Sequence, residues 1–134
     1  RQLTYAHLRA ATQAVLAGAR LVACNDDPTY PTETGLWPGG GAIAAAIETA
    51  AGRRAEVAGK PHAPMVEAVR AALGPGPTWV VGDRPETDMA LGRVGGWGTV
   101  LVLSGVVSDP RAVPAALRPD IVVPLLADLP ALLP

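Results

Sequence analysis

Short, continuous apolar runs alternate along the chain with longer segments rich in helix-forming residues. Each apolar run ends in glycine or polar residues, which is typical of a short buried strand, and several of the helical segments end at a glycine. The predicted strands lie within residues 20–27, 55–61, 78–83, 98–105 and 120–123, and the predicted helices within residues 3–19, 41–52, 64–74, 86–96 and 126–133. This repeated order of strand and helix predicts an α/β fold.

The predicted strands carry apolar residues on both faces rather than alternating with polar ones. That pattern indicates a parallel sheet that is covered by helices on both sides. In such sheets, ligands bind outside the carboxyl ends of the strands. Polar residues that fall at or just after predicted strand ends are Asn25, Lys60, Asp83 and Ser104. We therefore expect a functional site along this edge of the sheet.

The most irregular stretch lies between residues 28 and 41, where proline and glycine recur. We predict a loop without strand or helix, and a candidate functional loop, because loops on a rigid scaffold often carry binding residues. Tyr30 and Trp37 lie in it and each combines apolar area with one polar group. They could contact a substrate or merely pack the loop against a helix, and the sequence leaves both readings open.

Composition narrows the class of protein. The chain has 134 residues, of which 49% are apolar and 17% charged, as in a globular domain with a core. The formal net charge of -1 gives no indication of a nucleic-acid partner, and no apolar stretch is long enough to predict a membrane span. Cys24 is the one cysteine, so a disulfide within the chain is excluded and a cytoplasmic protein is expected.

Two acids, Asp83 and Asp88, follow an apolar strand in the stretch VVGDRPETD. Two neighbouring carboxylates repel each other, and each is costly to remove from water. A divalent cation would relieve both costs, and Mg²⁺ needs only one or two carboxylates because it keeps several waters. Alternatively, Asp83 caps the following helix while Asp88 lies on its surface. Spacing alone does not decide between these interpretations.

Lys60 is the one lysine in a chain with ten arginines. A compact ammonium group suits contact with a phosphate or carboxylate where the wider guanidinium would not fit. Lys60 also follows a predicted strand, as Asp83 does, which places both at the same edge of the sheet. The alternative is that a single surface lysine occurs here by chance.

Three motifs, GKP, VVGDRPETD and GTVLVLSGV, occur here in the order and spacing of a known family. Together they resemble the C-terminal half of a haloacid dehalogenase (HAD) superfamily phosphatase, and more narrowly the NagD-like, or 4-nitrophenylphosphatase, subgroup. The stretch LTYAHLRAATQAVLAGARLVACNDD resembles the cap segment of that subgroup, and PGGGA resembles the opening of its next helix. The resemblance covers nearly the whole chain.

The resemblance implies an organisation and a set of roles. It implies part of an inserted α/β cap in residues 1–55 and the second half of a Rossmann-like core in residues 56–134. Asp83 matches a direct Mg²⁺ ligand, Asp88 the second acid of the metal site and a catalytic residue, and Lys60 the catalytic lysine that contacts the phosphoryl group. Residues implied to bind substrate in the cap are Asn25 and Asp27, where Asp26 replaces the more usual proline, together with Tyr30.

The family's D-x-D-G motif, which supplies the nucleophilic aspartate, does not occur in the chain, nor does its second motif. The chain also begins at Arg1 without a methionine, so we expect a longer protein whose N-terminal half completes the site. The expected activity is Mg²⁺-dependent hydrolysis of small phosphorylated metabolites, with residues 1–134 alone inactive and a homodimer as a candidate assembly. A non-catalytic metal- and phosphate-binding relative, or a half-domain completed by another chain, is the alternative.

Overall fold

The structure is a computed structural model that describes residues 2–131. The chain divides into two compact units, Arg1–Gly59 and Lys60–Pro134. The boundary therefore lies four residues beyond the one expected from sequence, between residues 55 and 56. The reason is the short strand at residues 56–57, which pairs within the first unit. In the residues that the structure describes, no helix is both long and apolar enough to cross a membrane.

The first unit combines two helices with two small sheets. In chain order its elements are α1 (Tyr5–Leu16), β1 (Val22–Ala23), β2 (Thr29–Thr32), β3 (Gly35–Pro38), α2 (Gly40–Ala51) and β4 (Glu56–Val57). Strands β1 and β4 pair in parallel, with Val22 opposite Glu56. The core between α1, α2 and β1 is formed by Val15, Ile47 and Ala51 together with Leu8, Ala11 and Leu21.

The prediction of a loop over residues 28–41 was wrong, because β2 and β3 form an antiparallel hairpin there. Tyr30 lies opposite Trp37 and Pro31 opposite Leu36. Proline is excluded from central strands but tolerated at edges, and a two-stranded ribbon consists of edges alone. At the turn, Gly35 adopts a φ of 119°, which favours glycine, and Thr32 Oγ1 donates a hydrogen bond to its carbonyl at 2.7 Å.

The second unit is built on a three-stranded parallel sheet. Its regular elements are α3 (Ala63–Leu73), β5 (Trp79–Gly82), α4 (Ala90–Gly95), β6 (Gly98–Val102) and β7 (Ile121–Val123), and a π-helical turn at Pro85–Met89 precedes α4. The strands lie in the order β5-β6-β7. The predicted C-terminal helix is a 3₁₀ helix at Leu126–Ala131, and the rest of that prediction lies outside the described residues. The α/β prediction with parallel strands is confirmed. The expectation of a single sheet edge was wrong, because β1 and β4, which Asn25 and Lys60 follow, pair in a separate sheet from β5, β6 and β7.

The central strand β6 carries the core of the second unit. Its residues Val100 and Leu101 are fully buried, as is Val123 of β7. Thr99, also fully buried, is the polar exception. Its backbone N–H and Oγ1 donate to Asp120 Oδ2 at 2.8 and 2.7 Å, which links the beginnings of β6 and β7. These hydrogen bonds lie at the end of the sheet opposite the carboxyl ends of the strands.

Candidate metal and phosphate site

The end of β5 and the π-helical turn place the two acids of VVGDRPETD. Asp83 directly follows the strand, and Asp88 lies in the turn with 5% of its surface exposed. Asp88 Oδ2 accepts hydrogen bonds from the backbone N–H groups of Asp83 and Arg84, both at 3.1 Å. The capping alternative considered from sequence had Asp83 as the cap and Asp88 at the surface. The structure supports neither position: Arg84 is the cap residue and accepts no side-chain cap hydrogen bond, Asp83 is half-buried, and the buried Asp88 side chain folds back onto the strand end.

Lys60 lies against the same turn. Its Nζ is 2.6 Å from Asp88 Oδ1, while its side chain remains 47% exposed. Asp88 therefore meets three donors, one ammonium group and two backbone N–H groups, which offset the cost of burying its charge. The structure brings Lys60, Asp83 and Asp88 together, with part of the Lys60 side chain still open to solvent. A cation in this position can contact an anionic ligand.

Asp83 is held differently from Asp88. It is half-buried, and its Oδ2 accepts a hydrogen bond from the Val106 N–H at 2.8 Å. Its other oxygen, Oδ1, accepts no hydrogen bond from the residues that the structure describes. Asp83 and Ser104 line a cavity of about 350 Å³ at the ends of β5 and β6, together with Val81, Gly82, Val102, Gly105 and Leu126.

These acids can be compared with what Mg²⁺ requires. Within residues 2–131, no group of three histidine, cysteine, aspartate or glutamate residues is arranged to hold a metal ion. Mg²⁺ does not need such a group, since it is commonly held by one or two carboxylates, its own waters and phosphate oxygens. Asp83 Oδ1 can supply one such ligand. The donor set is thus compatible with Mg²⁺.

Two glycines that sequence reasoning did not single out allow these acids their positions. A Cβ atom on Gly82 would lie 2.1 Å from Asp88 Oδ2, and one on Gly105 would lie 2.1 Å from Asp83 Oδ2. Neither glycine has a positive φ, so space rather than backbone conformation requires them. Both glycines belong to motifs that the sequence analysis identified. The motifs alone do not show which side chains the glycines make room for.

The predicted substrate-binding residues of the first unit gather around one cavity. Asn25, Asp27 and Tyr30 line a space of about 470 Å³, together with Leu3, Trp37, Pro38, Gly39, Gly40 and Ile43. Asn25 Oδ1 accepts the Asp27 backbone N–H at 3.3 Å. The rings of Tyr30 and Trp37 meet edge to face, with centroids 6.4 Å apart.

The glycines of PGGGA bring α2 close to the Asn25–Asp27 segment. A Cβ atom on Gly40 would lie 2.6 Å from Asn25 Oδ1, and one on Gly39 would lie 2.3 Å from the Asp27 carbonyl oxygen. The Gly41 N–H donates to that carbonyl at 2.9 Å. These contacts give the cavity a fixed wall that carries amide and carboxylate groups beside two aromatic rings.

Comparison with known proteins decides the family. Residues 57–129, which include all of the second unit's sheet, match the HAD-hydrolase-like family. The chain belongs to this family. The resemblance inferred from GKP, VVGDRPETD and GTVLVLSGV is confirmed, and so is the Rossmann-like α/β fold class that it implied.

Several proteins that resemble the chain are named as phosphatases. The chain is 47% identical over 108 residues to D-glycerol 3-phosphate phosphatase of Mycobacterium tuberculosis. The aligned region covers 76% of the chain and 29% of that relative. A crystal structure of the glycerol phosphate phosphatase of that organism in complex with magnesium matches with a TM-score of 0.84 and 37% identity, over 96% of the chain and 40% of the other. The p-nitrophenyl phosphatase of Archaeoglobus fulgidus matches with a TM-score of 0.87 and 32% identity, over 99% of the chain and 54% of the other. The chain thus spans roughly half or less of these proteins.

Proposed function

We propose that the chain belongs to a Mg²⁺-dependent phosphatase of small phosphorylated metabolites. In this proposal, the first unit is part of the cap and the second unit is the second half of the catalytic core. The observation that carries the proposal is the contact between Lys60 and the buried Asp88 beside Asp83. It combines a cation that is still partly open to solvent with a carboxylate oxygen that is available to a metal. The phosphatase relatives, one of them solved with magnesium, support the same reading.

Each residue has a separate task in this proposal. Lys60 neutralises charge on the phosphoryl oxygens, where most of the catalytic stabilisation in phosphoryl transfer is needed. Asp88 orients Lys60 through its Oδ1 and shapes the turn that carries Asp83 through its Oδ2. Asp83 would hold Mg²⁺, which neutralises further charge on the phosphoryl group when bound. Asp88 therefore contributes to the metal site through hydrogen bonds rather than as a direct ligand.

The nucleophile is proposed to come from a part of the protein that precedes the sequence given. The resemblance implies an aspartate that attacks phosphorus and forms an acyl-phosphate, which water then hydrolyses. The buried Asp88 does not replace it in this proposal, because its two oxygens are engaged by Lys60 and by two backbone N–H groups. Residues 1–134 by themselves should therefore bind but not hydrolyse phosphate esters.

In the first unit, Asn25, Asp27 and Tyr30 are proposed to contact the leaving group of the substrate. The cavity that they line offers an amide, a carboxylate and aromatic edges. Such a set suits a small organic group that carries hydroxyls. A cytoplasmic location and assembly as a homodimer complete the proposal, and sedimentation of the purified protein tests the assembly.

The test uses the full-length protein with Mg²⁺ and 4-nitrophenyl phosphate. Lys60→Arg should lower kcat about 100-fold although the charge is kept, because the wider guanidinium cannot occupy a position built for an ammonium group. Asp83→Asn should raise the Mg²⁺ concentration needed for half-maximal rate. Glu86→Gln, which removes an exposed acid from the same turn, is the matched control and should leave both values unchanged.

Three outcomes would each contradict a part of this proposal. Near-normal kcat in Lys60→Arg would show that Lys60 supplies general electrostatics alone. Absence of hydrolysis by the full-length protein, with Mg²⁺ and phosphate still bound, would favour the non-catalytic relative instead. Turnover by residues 1–134 alone would contradict the proposed source of the nucleophile.

A further inference from the structure

The turn after β6 reaches across the end of β5 and contacts Asp83. β5 and β6 are paired in register up to Gly82, which lies opposite Leu101. A few residues later, the Val106 N–H donates to Asp83 Oδ2 at 2.8 Å. A backbone donor cannot rotate away as a side chain can, and a hydrogen bond to a carboxylate is stronger than one between neutral groups. This bond therefore restricts the orientation of the Asp83 carboxylate.

Gly105 provides the space for that orientation. A Cβ atom at this position would lie 2.1 Å from Asp83 Oδ2, 2.3 Å from its Cβ and 2.5 Å from its Cγ. All three distances are far shorter than van der Waals contact. Gly105 does not have a positive φ, so alanine could adopt its backbone conformation. The need for glycine thus comes from the presence of the Asp83 side chain.

We propose that Gly105 and the Val106 N–H are positioning elements, which fix Asp83 by one oxygen so that the other faces Mg²⁺. This inference rests on the proposed function, because it takes Asp83 as the metal ligand. Oδ2 is engaged by Val106, whereas Oδ1 accepts no hydrogen bond from residues 2–131. A ligand already held in one orientation loses less side-chain freedom when the metal binds. In the stretch SGV of the third motif, Gly105 and Val106 would thus serve to orient the Asp83 carboxylate.

Two variants test the Val106 N–H and Gly105 separately. Val106→Pro removes the N–H donor, and Gly105→Ala adds the Cβ that collides with the carboxylate. Ser108→Pro is the matched control for a new proline, since it lies in the same exposed segment and its N–H donates no hydrogen bond to the described residues. The full-length protein, labelled with ¹⁵N, is titrated with Mg²⁺ alone while the backbone amides of residues 83 and 84 are followed by NMR.

The Mg²⁺ concentration at half-saturation should rise about tenfold in Val106→Pro and in Gly105→Ala, which is the usual effect of losing an outer partner of a metal ligand. Ser108→Pro should stay within twofold of the unchanged protein. This readout requires neither substrate nor turnover, so a defect elsewhere in the catalytic cycle does not affect it.

A double-mutant cycle tests the steric part without any metal. Gly105→Ala should lower the urea midpoint of unfolding in the unchanged protein. It should have no such effect when Asp83 is first replaced by glycine, because the colliding side chain is then gone. An equal loss in both backgrounds would show that Gly105 is required for a reason unrelated to Asp83, and would overturn this part of the inference.

The results also distinguish the inference from the proposed function. If Asp83→Asn abolishes the Mg²⁺ titration while Val106→Pro and Gly105→Ala remain within twofold of the unchanged protein, the positioning role is wrong and Asp83 remains the ligand. If Asp83→Asn leaves the Mg²⁺ titration unchanged, the proposed metal site itself is wrong, and the positioning role fails with it.

Discussion

In the second unit, the candidate site residues are bound to the backbone, whereas in the first unit they line a cavity beside a short hairpin. Asp83 and Asp88 together accept three backbone N–H groups, and they follow a sheet whose central strand is fully buried at Val100 and Leu101. The hairpin of the first unit has no third strand among the described residues, and it leaves Leu36 71% and Trp37 52% exposed.

In the proposed function, the phosphoryl group and the leaving group place different requirements on the residues that bind them. A phosphoryl group has the same charge and shape in every substrate, so the groups that stabilise it benefit from being fixed in one geometry. Leaving groups vary, and a surface that recognises them can change without disturbing the scaffold. Under the proposed function, the candidate residues of the second unit would have a constant task and those of the first unit a task that varies with the substrate. The following predictions test that division.

The largest effect is expected at Asp88, where the fixed geometry depends on one carboxylate. Asp88→Asn keeps the size of the side chain but replaces one acceptor by an NH₂ group. In either orientation, that group faces the Lys60 ammonium or the two backbone N–H groups. We expect a loss of about 2 to 3 kcal/mol in the free energy of unfolding, measured with urea, because a buried donor is left unpaired.

Glu86→Gln is the control for Asp88→Asn, since Glu86 is an exposed acid on the same turn and should tolerate the change. An Asp88→Asn protein as stable as the unchanged one would show that the turn does not depend on this carboxylate. In that case, the second unit would be no more fixed than the first, and the division between them would lose its physical basis.

Sequence predicted the placement of the candidate residues in the second unit better than in the first. Lys60, Asp83 and Asp88 each follow a strand or lie in the turn after one, and strand ends can be read from apolar runs. Apolar runs do not show which of these side chains accepts which hydrogen bond. Asp88 accepts from the residue that sequence suggested as the cap, and the Val106 N–H and the Gly105 space depend on how two distant loops meet.

The hairpin shows where local rules were misleading. Proline and glycine between residues 28 and 41 predicted a loop, although proline is compatible with a strand that has free edges. The antiparallel pairing of Tyr30 with Trp37 brings the two aromatic residues together. That pairing depends on the register of two segments, which neither segment shows alone. That Tyr30 and Trp37 line the same cavity is therefore evident only from the structure.

A smaller effect is expected from the hairpin, and it should concern specificity rather than stability. Tyr30→Ala and Trp37→Ala, in the full-length protein, should change the ranking of small phosphate esters by kcat/KM several-fold. Their rates with 4-nitrophenyl phosphate should change less, because the phosphoryl group is held elsewhere in this proposal. Leu36→Ala is the control, since Leu36 lies in the same hairpin but does not line the cavity. A uniform loss with every substrate would mean that the rings pack the hairpin and do not read the leaving group.

The smallest effect is expected at the opposite end of the second unit's sheet. It tests whether the fixed geometry of this unit extends beyond the candidate site. Hydrogen bonds from the Thr99 side chain and backbone hold the pKa of Asp120 below its ordinary value, and the charge of Arg93 adds to the shift. A carboxyl group whose pKa is lower in the folded state stabilises the fold above its unfolded pKa of about 3.9 and loses that effect as pH falls through the folded value.

Unfolding by urea, measured between about pH 6 and pH 3, should therefore show a loss of stability that Asp120→Asn reduces. The difference should be below about 1 kcal/mol, because the Asp120 side chain is 42% exposed and solvent screens its charge. Identical pH dependence in both proteins would mean that the link between β6 and β7 contributes nothing measurable, and that the rigidity of the second unit is confined to the ends of β5 and β6.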